Sequence, residues 1–322
     1  MERIASKARF CEVVEAAKAD RASRQQEVLV CCGTGCLANG AKKVAEAFEE
    51  VIEAQGLKTS LSLYSKRTGC HGFCQQGPLV LIQPSGILYT KVKPDHVAEI
   101  VEKTLKKGEV VTRLSYKNPA NKTPIERYDA IPFYKNQTRV AMRNIGRIDP
   151  TDIDDALAHG AYAGLARALF DLTPDQVIET VERSGLRGRG GAGFSTARKW
   201  KAARKAKGER KFLLCNGDEG DPGAFKDRSI MEGDPHSVLE GLAIAAYAVG
   251  AHEGYIYVRD EYPLAVVNLT IAMKQARERG LLGENILGSG FSFDVRISRG
   301  GGAFVCGESS ALMRSIEGRT GE

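Results

Sequence analysis

The sequence predicts an α/β protein in two parts. A small α+β domain over residues 1–110 precedes a larger, doubly wound α/β domain over 161–322, and a polar arm at 111–160 joins them. Three observations carry this reading. Strand-like alternation and helix-period segments follow one another in both halves. Five of the eight cysteines (Cys31, Cys32, Cys36, Cys70 and Cys74) cluster between residues 31 and 74. Five glycines (Gly185, Gly188, Gly190, Gly191 and Gly193) crowd a short stretch between two helix signals, with Arg187 and Arg189 among them.

Residues 2–20 have the pattern of an amphipathic helix. Residues 27–30 read as a strand running into Cys31-Cys32-Gly33-Thr34-Gly35-Cys36. Val44, Ala45, Phe48, Val51 and Ile52 then share one face of a helix that Gly56 ends. Residues 57–64 alternate as a strand, and Gly69-Cys70-His71-Gly72-Phe73-Cys74 forms a loop. Residues 78–82 and 86–89 form a hairpin, and Pro94 opens a helix ending near Lys107-Gly108. The order β-α-β-β-β-α suggests a thioredoxin-like α+β domain with cysteines at strand ends.

The arm carries Asn118-Pro119, Thr123-Pro124, Ile131-Pro132 and Asp149-Pro150 and reads as extended, with pieces such as 138–142 packing on a neighbour. Residues 152–168 and 173–183 read as helices, the second opened by Thr173-Pro174. Strands at 211–215, 255–259 and 293–298 alternate with helices at 235–249, 263–280 and 307–316. That alternation predicts a doubly wound sheet whose ligands sit at the carboxyl ends of the strands.

Composition narrows the function. The 322 residues carry a net charge of +6, which suits anionic small ligands. No basic run is interleaved with aromatics, which argues against nucleic acid. The longest apolar runs, such as 242–249, are too short to cross a bilayer, so direct membrane insertion is not expected. The first twenty residues are charged and lack the apolar core of a signal peptide, pointing to the cytoplasm. In that setting the cysteines argue for metal or redox chemistry over disulfides. The ending Glu317-Gly318-Arg319-Thr320-Gly321-Glu322 is turn-like and suggests that the chain continues.

Cys31 and Cys36, and Cys70 and Cys74, lie in two glycine-bearing loops. Four thiolates so placed suit an iron–sulfur cluster whose sulfurs accept backbone N–H groups. A structural zinc, which favours tighter C-x2-C knuckles, is the alternative. A catalytic disulfide would need a C-x-x-C opening a helix, which is absent. Cys32 should point away from its neighbour Cys31 and is read as a non-ligand, and His71 as exposed. The glycine stretch reads as a cradle for a phosphorylated planar cofactor at the start of a helix capped by Ser195, the bland alternative being a linker. Cys215 and Cys306 read as small buried residues.

C-x-G-T-x-C followed by G-C-x-G-x-C-x-x-G-P resembles the thioredoxin-like [2Fe–2S] domain of NADH dehydrogenases and multisubunit hydrogenases over residues 27–107. The resemblance implies Cys31, Cys36, Cys70 and Cys74 as ligands. SGLRGRGGAGF from Ser184, NGDEGDPGAFKDR from Asn216 and GAFVCGESSAL from Gly302 resemble the flavoprotein subunit of respiratory complex I. That resemblance implies FMN and NAD(H) or NADP(H). Gly188, Arg189, Gly190, Gly191, Gly193, Phe194 and Lys199 would hold them on the loop, with Asn216, Asp218, Glu219 and Asp221 in the second motif and Gly307, Glu308 and Ser309 in the third. No protein nucleophile is implied, since the flavin carries the chemistry. Ser309 stands where complex I proteins usually carry a second acid, which opens the site to a 2′-phosphate.

Both domains on one chain resemble the flavin-bearing β subunit of soluble NAD(P)-linked hydrogenases and formate dehydrogenases, electron-bifurcating ones included. The implied partners are the other subunits of such a complex, a small [2Fe–2S] subunit among them, and ferredoxin. [4Fe–4S] clusters are expected only beyond Glu322. The alternatives are a module feeding a quinone reductase and a non-catalytic electron-transfer or assembly module.

Overall fold

The computed structural model describes residues 2–321. They form two compact units, one comprising residues 17–155 with 232–234, the other residues up to 16, 156–231 and 235 onward. Helix α1 (Lys7–Ser23) buries only Phe10, so it is not the amphipathic helix expected. Residues before it, expected with the first domain, pack in the second unit: Ile4 is 1% exposed and its N–H donates to the Arg279 carbonyl at 2.8 Å.

The cysteine-bearing unit is built on a four-stranded sheet in the order β2-β1-β3-β4, with β1 Gln26–Cys31, β2 Leu63–Thr68, β3 Val80–Gln83 and β4 Ile87–Tyr89. β2 runs parallel to β1, and β3 and β4 run antiparallel as a hairpin. Between β1 and β2 lie the helical turn α2 (Thr34–Ala38), α3 (Ala41–Ala54) and the turn α4 (Leu57–Ser60). α3 buries Ala41, Val44, Ala45, Phe48 and Ile52, the face its spacing predicts. α4 replaces the first half of the strand expected at 57–64. Gly56 is left-handed (φ +60) and restarts a helical turn, so extended chain resumes only at Leu63. α5 (Val97–Ile100) continues into a wider turn through Leu105 and closes the layer over the sheet.

The arm is no free linker. It includes a two-residue ladder of β5 (Tyr116–Lys117) with β6 (Pro124–Ile125), and the turn α6 (Pro132–Lys135). Its aromatics pack on the second cysteine loop: the Phe73 ring stacks on Phe133 at 4.9 Å and meets Tyr116 and Tyr134. At its end Asp155 meets Lys66 at 2.9 Å, and Lys66 also meets Glu27 at 3.0 Å. All three side chains are buried, so the charges fix one another; removing one would strand the others at about 3–5 kcal/mol.

Where one helix was expected, the chain forms α7 (Ile153–Ala158) and then α8 (Ala163–Asp171), the latter in the other unit. Gly160 (φ +91) and Tyr162 (φ +63) break the expected helix. α9 (Pro174–Arg183) starts from a capping box in which Thr173 and Gln176 satisfy each other's backbone N–H groups. After α10 (Thr196–Lys205), the strands β7 (Phe212–Gly217), β8 (Glu253–Arg259) and β9 (Asp294–Gly300) form a parallel sheet in sequential order. α11 (Lys226–Gly233) and α12 (Pro235–Val249) connect the first pair, α13 (Pro263–Arg279) the second, and α14 (Ser309–Ile316) follows. The α/β class is as the sequence predicts. Among the described residues no helix is long and apolar enough to cross a membrane.

Candidate functional site

Two constellations emerge, one in each unit. In the first, β1 ends at Cys31 and α2 carries Cys36, while Cys70 and Cys74 flank the loop after β2. The structure brings all four together. The Cys31 thiol pairs with those of Cys36 and Cys70, and the sulfurs of Cys70 and Cys74 lie 3.8 Å apart. Pairing with Cys36, with burial added, pushes Cys31 up to about 12; pairing with Cys31 and burial push Cys70 up to about 11. The Gly72 N–H donates to Cys70 Sγ at 3.2 Å, the contact a thiolate ligand uses.

Glycines here make room for sulfur. A Cβ on Gly77 would stand 2.5 Å from Cys36 Sγ, one on Gly33 2.6 Å from Cys70 Cβ, and one on Gly35 3.0 Å from Cys74 Sγ. Among the described residues no three His, Cys, Asp or Glu donors converge on a single ion. The thiols adjoin in series, from Cys36 through Cys31 and Cys70 to Cys74, and four thiolates so placed can hold a cluster of two irons. Cys32 stands apart from the series, and burial pushes it up to about 12. His71, expected at the surface, is 2% exposed beneath the arm, where burial pushes it down to about 3.

In the second unit the glycine stretch is tied at its neck. Gly188 N–H donates to the Phe194 carbonyl at 2.9 Å, Thr196 N–H to Leu186 at 3.1 Å, and Arg187 Nη1 to Gly193 at 3.1 Å. Beyond the neck the loop faces solvent. Gly191 (φ +108) and Gly193 (φ +59) need left-handed backbone. No atom lies within 4 Å of a Cβ built on Gly190, Gly191 or Gly193. Arg189 is exposed, and so is the Phe194 ring, with the Arg198 guanidinium 5.5 Å from its centroid. Ser195 Oγ caps α10 by accepting the Arg198 N–H at 3.4 Å. Arg198 and the exposed Lys199 therefore sit on a capped helix start, where an anion is favoured.

The second and third motifs meet at the carboxyl end of β7. Asn216 Nδ2 donates to the Gly307 carbonyl at 2.8 Å while its Oδ1 accepts the Asp218 N–H at 3.0 Å. A Cβ on Gly307 would make ordinary contact with Asp218, 3.4 Å from its carbonyl oxygen and 3.5 Å from Oδ2. The Asp218 side chain is 1% exposed and neither oxygen has a hydrogen-bond partner. Arg259 Nη1 lies 3.9 Å away and also lacks a hydrogen-bond partner, while its Nη2 pairs with Glu261. Burial pushes Asp218 up and Arg259 opposes it. Buried polar groups left open at a strand end are what a polar ligand completes.

Three of the expected carboxylates also do structural work. Glu219 accepts the Asp227 and Arg228 N–H groups at 3.1 and 3.2 Å and so caps α11. Asp221 closes a turn by accepting the Gly223 N–H at 2.8 Å. Glu308 accepts from the Ser310 hydroxyl and caps α14 through the Ala311 and Ser310 N–H groups at 3.2 and 2.8 Å, and these bonds hold its carboxyl below the usual range. Ser309 is exposed in the first turn of α14. From the glycine loop, α10 reaches the second motif through Trp200. That ring lines a cavity of about 360 Å³ shared with Asn216 and Met231. Sequence reasoning does not single out Arg259, although its place at the carboxyl end of a parallel strand is a usable signal.

Residues 17–105 match the family described as thioredoxin-like [2Fe-2S] ferredoxin, and residues 181–322 the Nuo51 FMN-binding domain. The chain is similar to the NADP-reducing hydrogenase subunit HndC of Solidesulfovibrio fructosivorans, 57% identical over 58% of this chain and 38% of that one. An NADH-quinone oxidoreductase subunit of Rhizobium meliloti is 51% identical over 56% of this chain and 43% of its own. The NAD-reducing hydrogenase HoxS subunit alpha of Cupriavidus necator is 36% identical over 94% of this chain and 48% of its own, so the chain spans half or less of these relatives. The chain therefore combines a thioredoxin-like [2Fe-2S] ferredoxin domain with a Nuo51 FMN-binding domain and is a homologue of NAD(P)-linked hydrogenase and complex I flavoprotein subunits.

Proposed function

We propose that this chain is the flavin-bearing subunit of a multisubunit NAD(P)-linked hydrogenase or formate dehydrogenase. The observation that carries the reading is likeness to an NAD-reducing hydrogenase subunit over 94% of the chain, both domains and the arm included. Bound FMN supplies hydride exchange with a nicotinamide and single-electron delivery to iron–sulfur centres. The chain supplies position and charge. Gly188, Arg189, Gly190, Gly191 and Gly193 present open backbone to the cofactors, and Phe194 covers a ring. Lys199 takes a phosphate, and Asn216, Asp218 and Gly307 receive the polar edge of the flavin. Cys31, Cys36, Cys70 and Cys74 hold the [2Fe–2S] centre. A small [2Fe–2S] subunit and ferredoxin are the proposed electron partners, in the cytoplasm.

Anaerobic NADH or NADPH should bleach the flavin of the purified complex. A flavin that is retained but not reduced by either would refute the reading and leave a non-catalytic module. The Ser309→Glu variant refines it: an added carboxylate should repel a 2′-phosphate and lower the NADPH rate relative to NADH. Identical ratios would remove Ser309 from cofactor choice.

A further inference from the structure

The arm closes a cavity of about 400 Å³ over the Cys70–Cys74 loop, wholly within the cysteine-bearing unit. Two atoms on its wall are buried without a hydrogen-bond partner, His71 Nδ1 and the Tyr134 hydroxyl, on residues 2% and 6% exposed. Lys135, Arg139, Arg143 and Arg147 also line it. None of these four cations has an acidic partner among the described residues. Arg139 is held in place: it donates to the His71 carbonyl at 2.9 Å and lies 5.6 Å from the Tyr134 ring centroid. The acid on the wall, Asp129, is turned to Arg127, which donates to it at 3.2 and 3.1 Å.

Unpaired guanidinium groups around a buried, unused hydroxyl describe an oxyanion receptor. Arginine forks match phosphate oxygens in pairs, and the cavity exceeds what one carboxylate would fill. It lies within the roughly 300–1,000 Å³ of small-ligand sites, whereas an acidic protein surface would need no recess. Gly146, left-handed at φ +82, lets the arm pack closely on His71, since a Cβ there would stand 2.8 Å from the ring.

We propose that this cavity binds a small phosphorylated ligand, with phosphate oxygens accepting from Arg139, Arg143, Arg147 and the Tyr134 hydroxyl. The site is separate from the flavin loop and does not rest on the function proposed above.

The test is calorimetric titration of the full chain with inorganic phosphate, pyrophosphate and ADP. Wild type should bind pyrophosphate or ADP. ADP binding more tightly than pyrophosphate identifies a nucleotide, and equal affinity identifies the phosphates alone. The Arg143→Glu/Arg147→Glu variant, altered at two exposed positions, should weaken binding about a hundredfold, and Tyr134→Phe several-fold. Arg143→Gln/Arg147→Gln serves if charge reversal perturbs folding. Unchanged affinity in the arginine variants, no binding of any probe by wild type, or binding of polyglutamate alone would overturn the proposal. So would loss of ADP binding in Lys199→Ala with the arginine variants unaffected.

Discussion

The two constellations use the same residue, glycine, for opposite reasons. Around the cysteines, Gly33, Gly35 and Gly77 are crowded, each with a sulfur or a cysteine carbon within 3.0 Å of where a Cβ would stand. In the flavin loop, Gly190, Gly191 and Gly193 have nothing within 4 Å. The first site is packed from inside by its own thiols, so its glycines preserve room already in use. The second is open, and its glycines serve backbone shape and the approach of something larger. The first site is thus specified by its own packing, and the second by the backbone shape that its glycines allow.

Substitutions can break that contrast. The largest effect is expected for Cys36→Ala, which removes one of the paired thiols: cluster absorbance and labile sulfide should vanish while flavin content stays at the wild-type level. Next comes a matched pair of glycine changes. Gly77→Ala should strain the cysteine unit by about 1–3 kcal/mol and lower cluster occupancy, because the new methyl meets Cys36 Sγ. Gly190→Ala should leave thermal stability unchanged and weaken flavin retention alone. Equal thermal shifts in the two would erase the distinction. The smallest effect is Ser195→Ala, which removes the cap of α10 and should cost about 1 kcal/mol in denaturant unfolding.

Local signals are legible in the sequence and non-local ones are not. The helix start at Thr173-Pro174, the Ser195 cap and the apolar face of α3 follow from spacing alone. So does the pairing of cysteine loops at strand ends, because sulfur ligands cluster in sequence. The arm reads as a linker because its anchors, Tyr116, Phe133 and Tyr134, have no period, and their partner Phe73 lies far back in the chain. Lys66 looks like a solvent-facing strand residue, and only its distant partners Glu27 and Asp155 account for its burial. Residues 57–64 alternate like a strand, yet the left-handed Gly56 favours one more helical turn. In the candidate site the motifs are visible, but the division of labour within them is not. Asp218 and Glu219 are adjacent carboxylates; one caps a helix and the other is left open, and backbone direction at the end of β7 decides which.

The claim that two cofactor sites are built independently is tested most directly by Gly191→Val, read as FMN and labile sulfide per chain. Valine cannot comfortably hold φ +108, and it intrudes where the loop is open. The prediction is loss of FMN with wild-type sulfide and an unchanged cluster spectrum. Loss of both would contradict it, because the glycine loop would then be structural support for the whole chain.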